Sequence, residues 1–161
     1  MLKHFKERIH FYSGRIRDGR LHEFIVIYPY SIVASVNEGG PLVNDLCQYL
    51  TAADRMNPTV APYCRSTHPA LYRAIDIVAR AFREEGKPIC VCGELAGDVQ
   101  AACVLAGLGL RKLSMSISQV AKVKRALGRH TAVELQRLAG EILACEDADE
   151  VLQCIQAALA P

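Results

Sequence analysis

No stretch of this sequence is apolar for long enough to cross a bilayer. The longest candidate, Phe24 to Val36, is interrupted by Pro29 and falls short of the roughly 20 residues that a spanning helix needs. A long polar and charged segment precedes it, which is not the layout of a signal peptide. The expectation is therefore a cytoplasmic protein with no membrane association. Net charge is slight as well, at +2, so no global field draws nucleic acid or anionic lipid to the chain. Local basic runs such as Lys122, Lys124, Arg125 and Arg129 read as solvated helix faces. The seven cysteines are odd in number and unevenly spaced, with neither CxxC nor a Cys/His set at zinc spacing. Most sit in apolar surroundings, where cysteine behaves as a small hydrophobe, and reduced thiols are expected. Internal repeats and low-complexity segments are absent too.

What is present reads as one ordinary globular domain. Hydrophobic residues make up 51% and charged residues 22% of 161 positions, close to the globular averages. Residues 1–23 read as a weak helix followed by a turn. Residues 24–36, rich in Ile, Val and Tyr, read as a buried strand or two short ones, and Asn37 to Pro41 as a breaker.

After Pro69 the pattern is sharper. Ser66 or Thr67 can cap a helix with Pro69 in its first turn. Leu71, Ile75, Val78 and Phe82 follow on one face, and Gly86 stops it. Pro88 to Cys92 suits a strand buried on both faces. Gly93 to Gly97 reads as a turn, Asp98 to Ala106 as a small-residue helix, and Arg111 to Met115 as a second short strand. Ser116 or Ser118 caps a helix carrying Val120, Val123 and Leu127. Two further helices follow, around Ala132–Cys145 and Asp149–Leu159. This alternation predicts an α/β fold with parallel strands.

Two segments carry possible chemistry. In Asn44-Asp45, followed by Asp54-Arg55, an amide and a carboxylate at a strand end can meet one ligand. A carboxylate is the hard oxygen donor that Mg²⁺ prefers, and a guanidinium grips phosphate or carboxylate bidentately. The plainer reading is a turn and an exposed ion pair. In Cys90-Val91-Cys92-Gly93, residues two apart on a strand share a face, and a thiol at the strand's C-terminal end can act as a general acid. The plainer reading there is a buried structural cysteine.

Together the segments carry more. Asn44-Asp45-Leu46 with Gln48-Tyr49 and Asp54-Arg55, then Cys92-Gly93-Glu94-Leu95-Ala96-Gly97-Asp98, then Leu108-Gly109-Leu110 with Leu113-Ser114-Met115-Ser116, resemble in order and spacing three blocks of one family. That family is enzyme I, the phosphoenolpyruvate–protein phosphotransferase of the bacterial sugar phosphotransferase system. The resemblance covers roughly residues 44–128.

It implies that residues 41–161 are the C-terminal part of a (β/α)₈ phosphoenolpyruvate-binding barrel, namely its last βα units, followed by C-terminal helices. Residues 1–40 are a divergent segment. By the same resemblance Asn44, Asp45 and Arg55 bind phosphoenolpyruvate, Asp45 also binds Mg²⁺, and Cys92 protonates the pyruvate enolate. A phosphocarrier protein of the HPr-like kind and a second copy of the chain, as a homodimer, are the implied partners. A barrel of this kind takes about 250 residues, so this chain supplies only part of one. The family's phosphoryl-accepting histidine motif, Gly-Gly…Ser-His, does not occur here. Ile27 stands where a second Mg²⁺ carboxylate is expected, and Leu42 where the family has glycine. His68 reads as a helix-start residue. The competing expectations are a non-catalytic dimerisation module and a phosphoenolpyruvate sensor.

Overall fold

The computed structural model describes residues 9–13, 23–27, 32–33, 42–86 and 89–160, with side-chain detail from Leu46 onward. The predicted breaker at Asn37 to Pro41 lies outside the described residues, as does Pro88. Three short strands come first: β1 (Ile9–Ser13), β2 (Glu23–Ile27) and β3 (Ile32–Val33), in an antiparallel sheet of order β1-β2-β3. Ile9 pairs with Ile27 and Phe11 with Ile25. The weak helix expected across residues 1–23 is therefore corrected to a strand at Ile9–Ser13. Ile9 and Phe11 alternate with His10 and Tyr12, which is the period of a strand and not of a helix. Of the two readings of residues 24–36, one strand or two short ones, the second holds, as β2 and β3.

Next comes helix α1 (Leu42–Thr51). Leu46 and Cys47 are buried while Tyr49 and Leu50 are exposed, a one-sided burial that a helix produces. Ala52 leaves it with φ 51°. A 3-10 turn at Ala61–Tyr63 leads to α2 (Pro69–Glu84). Leu71, Ile75 and Phe82 are buried on its inner face as the spacing predicts. Its cap is His68, whose Nδ1 accepts from the Ala70 N–H at 3.2 Å; the expected Ser66 or Thr67 lies one or two residues too early. Pro69 holds the preceding residue in an extended conformation, which is the backbone an N-cap requires, and His68 has it at φ −64°, ψ 125°. Gly86 ends the helix with φ 64°, in the left-handed region that favours glycine.

The remainder forms a βαβ unit and two closing helices. Strand β4 (Cys90–Cys92) pairs in parallel with β5 (Lys112–Ser114). Between them run α3 (Glu94–Gly97) and α4 (Val99–Gly107). The expected turn at Gly93 to Gly97 is thus a short helix. Asp98 begins α4, accepting from the Ala101 N–H at 2.8 Å. Then follow α5 (Ile117–Leu127), α6 (Ala132–Ala144) and α7 (Ala148–Ala158).

Helix α4 is the centre of the core. Ala102, Cys103, Val104 and Leu105 are wholly inaccessible, and the helix packs against both α5 and α6. Small residues on α4 let α6 approach closely and place Leu138 and Ile142 in the same cluster as Leu105. Each such aliphatic side chain contributes about 1.5–3 kcal/mol on burial. The expected α/β class with parallel strands holds as a mostly helical domain around a small parallel sheet.

Candidate functional site

Strand β4 ends at Cys92, whose partner across the parallel ladder is Ser114. Gly93 follows at φ 109°, ψ −163°, a conformation that a side chain resists. Its N–H donates to the Ser114 carbonyl at 3.1 Å. Nothing lies within 4 Å of where a β-carbon would stand, so the demand for glycine is one of backbone conformation. The chain then turns into α3, leaving the Cys92 side chain at the C-terminal end of the strand.

Cys92 is half-buried and Cys90 is buried, and their sulfurs stand 3.8 Å apart. Hydrogen bonding from Cys90 holds the Cys92 thiol down to about 7, from an ordinary 9.0, against the upward push of burial and with a second downward contribution from the Ser114 hydroxyl. A donor to sulfur favours the anion. Thiol and thiolate therefore coexist near neutral pH, the condition for a group that gives up a proton and regains it. A structural cysteine looks different: Cys103, sealed inside α4, is pushed up by burial and by the charge of Asp98.

The Asn44–Asp45 pair does not stand at a strand end as the sequence suggested. It lies near the start of α1. Its side chains lie outside the described residues. Helix α1, which carries the pair, neighbours both β4 and α3. Arg55 is exposed beyond the end of α1. Its backbone N–H donates to Gln48 Oε1 at 3.0 Å, tying the turn to the helix. Asp54 Oδ1 accepts the Met56 N–H at 2.8 Å, so this carboxylate shapes the turn.

Among the described residues no group of three His, Cys, Asp or Glu side chains comes together to hold a metal ion, and none of the helices is long and apolar enough to cross a membrane. A groove of about 870 Å³ lies between α2, α6 and the Gly107–Gly109 turn, at the end from which β5 starts. Its cations are committed to the fold: Arg80 pairs with Asp76 at 2.8 Å, Arg83 donates to the Leu108 carbonyl at 2.8 Å, and Arg111 donates to the Ala106 carbonyl at 2.9 Å.

Sequence reasoning missed Ser114 as a partner of Cys92. The signal was available in part: two three-residue parallel strands with both C-terminal ends at one edge bring Cys92 opposite Ser114 once their register is known.

Residues 42–132, more than half of the chain, match the family described as "PEP-utilising enzyme, PEP-binding domain". The multiphosphoryl transfer protein of Rhodobacter capsulatus is 44% identical over 108 residues, 67% of this chain and 13% of that protein. The phosphoenolpyruvate-protein phosphotransferase of Listeria monocytogenes is 40% identical over 113 residues, 70% of this chain and 20% of that protein. An Escherichia coli protein named for the phosphoenolpyruvate-dependent phosphotransferase system is 43% identical over 108 residues, 67% of this chain and 14% of that protein. The chain thus spans a fifth or less of the length of these relatives. The matched stretch begins with α1 and contains Asn44, Asp45, Arg55 and Cys92, and on that match the chain belongs to the PEP-utilising enzyme, PEP-binding domain family.

Proposed function

We propose that this chain is the phosphoenolpyruvate-handling C-terminal part of a phosphoenolpyruvate–protein phosphotransferase, contributing the last βα units of a (β/α)₈ barrel. The observation that carries this reading is Cys92: a half-buried thiol at the C-terminal end of a parallel strand, titrating at about 7. In barrels of this kind the reactive groups stand at that end. When the phosphoryl group leaves the enol oxygen of phosphoenolpyruvate, an enolate remains. The Cys92 thiol gives its proton to carbon 3 of that enolate, producing pyruvate and a thiolate, and solvent then returns the proton to sulfur.

The anionic substrate is met by the segment around α1. Arg55, exposed in the turn, supplies a guanidinium to the phosphate or carboxylate end, and Asn44 and Asp45 supply an amide and a carboxylate. Mg²⁺ is bound through one or two carboxylates plus substrate phosphates. Asp45 is the carboxylate the resemblance assigns to the ion; Asp54 is engaged by the Met56 N–H, and Ile27 stands where the family's second carboxylate is expected. The hold of Asp45 on the ion therefore depends on the substrate. The acceptor of the phosphoryl group is a histidine outside these 161 residues, and from there it passes to a phosphocarrier protein in the cytoplasm.

Calorimetric titration of the chain with phosphoenolpyruvate and Mg²⁺ tests the reading. Heat of binding is expected with substrate and metal together, and it should weaken in both Asp45→Ala and Arg55→Ala. Equal heats in all three proteins would sink the assignment of the α1 segment.

A second reading, a self-associating module, rests on the exposed apolar residues Ile117 (92%) and Val120 (47%) of α5 and Val133 (74%) of α6. Exposed apolar surface of this kind favours a protein contact. Sedimentation that shows a compact monomer at high concentration counts against it.

A further inference from the structure

Six of the seven cysteines stand in spatial pairs, of which only Cys90 and Cys92 are foreshadowed by their sequence spacing. Cys47 lies beside Cys64, with its thiol donating to the Arg65 carbonyl at 3.4 Å. Cys145 and Cys154 have sulfurs 3.7 Å apart across the α6–α7 connection, and Cys90 and Cys92 have sulfurs 3.8 Å apart on one face of β4. No disulfide joins any of them.

The pairs are not chemically equal. Burial, then hydrogen bonding to Cys64, pushes Cys47 up to about 12. Burial, then Cys154 and the acidic residues Glu150 and Asp147, pushes Cys145 up to about 11. In the β4 pair a half-buried thiol, Cys92, is held down to about 7, and thiolate is the form that reacts.

We propose that Cys90 and Cys92 form a redox-active dithiol, in which a hydroperoxide oxidises Cys92 and Cys90 resolves the product as an intrachain disulfide. The Cys92 thiolate attacks the peroxide's terminal oxygen. The O–O bond breaks, two electrons pass from sulfur to peroxide, and the leaving alkoxide or hydroxide takes a proton to become alcohol or water. Cys92 is then a sulfenic acid. The Cys90 sulfur attacks the sulfenic sulfur, an S–S bond forms, and the Cys90 proton leaves with the departing hydroxide as water. Residues two apart on a strand have α-carbons about 6.6 Å apart, at the upper edge of the range for a disulfide, so closing the sulfurs from 3.8 Å to a bond requires the backbone to bend at Val91. The pair matters for catalysis because a disulfide removes the proton that Cys92 is assigned to give; that consequence rests on the function proposed above, whereas the thiol chemistry does not.

The test treats the full chain near neutral pH with substoichiometric hydrogen peroxide, blocks the remaining thiols with N-ethylmaleimide and maps the peptides by mass. The expected result is a peptide carrying Cys90 and Cys92 that has lost two hydrogens and gained no maleimide, while Cys47, Cys64, Cys145 and Cys154 are still fully blocked. Dithiothreitol should restore both thiols. In Cys90→Ser the resolving sulfur is gone, so Cys92 should be captured by dimedone as sulfenic acid, about tenfold more than in the parent chain. Full maleimide labelling of Cys90 and Cys92 after peroxide overturns the proposal without any variant. So does earlier oxidation of the Cys145–Cys154 pair, or equal dimedone capture with and without Cys90. None of these readouts involves phosphoenolpyruvate, so a failed dithiol leaves the proposed function standing, and a failed substrate titration leaves the dithiol standing.

Discussion

Gly107, the last residue of α4, lies directly against the backbone carbonyl of Leu135 in α6, so that a β-carbon there would overlap the carbonyl oxygen and crowd the Ala139 side chain. The two helices meet at this point because one of them has no side chain. Gly107→Ala should therefore destabilise the fold by about 1–3 kcal/mol, the usual range for overpacking a close contact. Gly140 provides the control. It is exposed on α6 with nothing within 4 Å of an added β-carbon, and Gly140→Ala should stabilise by roughly 0.5–1 kcal/mol through helix propensity. Urea midpoints that move in the same direction for both substitutions would contradict the packing described.

The α6 C-terminus depends on a single side chain from another helix. Arg73 of α2 donates from Nε to the Leu143 carbonyl at 3.0 Å and from Nη2 to the Cys145 carbonyl at 2.5 Å. These carbonyls belong to the last turn, where a helix has acceptors without internal donors and favours positive charge. Arg73→Ala should cost about 1–2 kcal/mol, allowing for its partial exposure. Arg73→Lys should recover only part of that, because one ammonium does not reproduce the two-pronged geometry. Full recovery in thermal or urea unfolding would show that charge alone suffices.

Much of this fold was legible before any coordinates. Leu71, Ile75 and Phe82 mark the buried face of α2, and Gly86 marks its end, because apolar spacing and left-handed glycine are local signals. The βα units around Cys92 were legible for the same reason. The cap of α2 was assigned to Ser66 or Thr67 because capping rules favour Ser and Thr by side chain, while Pro69 selected His68, already read as a helix-start residue, by backbone. Asn44 and Asp45 were assigned to a strand end, and the pull of Leu46 and Cys47 toward a core on one side made the segment a helix. Least legible were the thiol pairs. Cys145 and Cys154 meet only because α6 and α7 fold back on each other, and Cys47 and Cys64 meet only across the turn region between α1 and α2.

The lowered pKa of Cys92 fixes the sign of two pH dependences. Thiolate accumulates as pH rises through about 7, so alkylation of Cys92 by iodoacetamide should rise through that pH and then level off. Cys145, pushed up to about 11, should stay slow over the same range. Proton donation runs the other way, since the thiol is the form that gives the proton, and it should fall as pH rises above about 7. Cys90→Ala removes the hydrogen bond that contributes most, and the alkylation midpoint should move upward. Ser114→Ala should move it upward by less. A midpoint unchanged in Cys90→Ala would remove the pairing of the two sulfurs as the cause.

Phosphoryl transfer separates family membership from activity. In the proposed function the segments around α1 and β4 bind phosphoenolpyruvate and protonate its enolate, but no Gly-Gly…Ser-His acceptor motif occurs in these 161 residues. His68, the most tempting substitute, spends its Nδ1 on the Ala70 N–H at the start of α2. A histidine used in this way as a helix cap is poorly placed to attack phosphorus with the same nitrogen. Incubation of the purified chain with phosphoenolpyruvate labelled in its phosphate should leave the chain unlabelled, with or without Mg²⁺ and added phosphocarrier protein. Acid-labile label on the chain would overturn this, and its loss in His68→Ala would identify the cap as the acceptor.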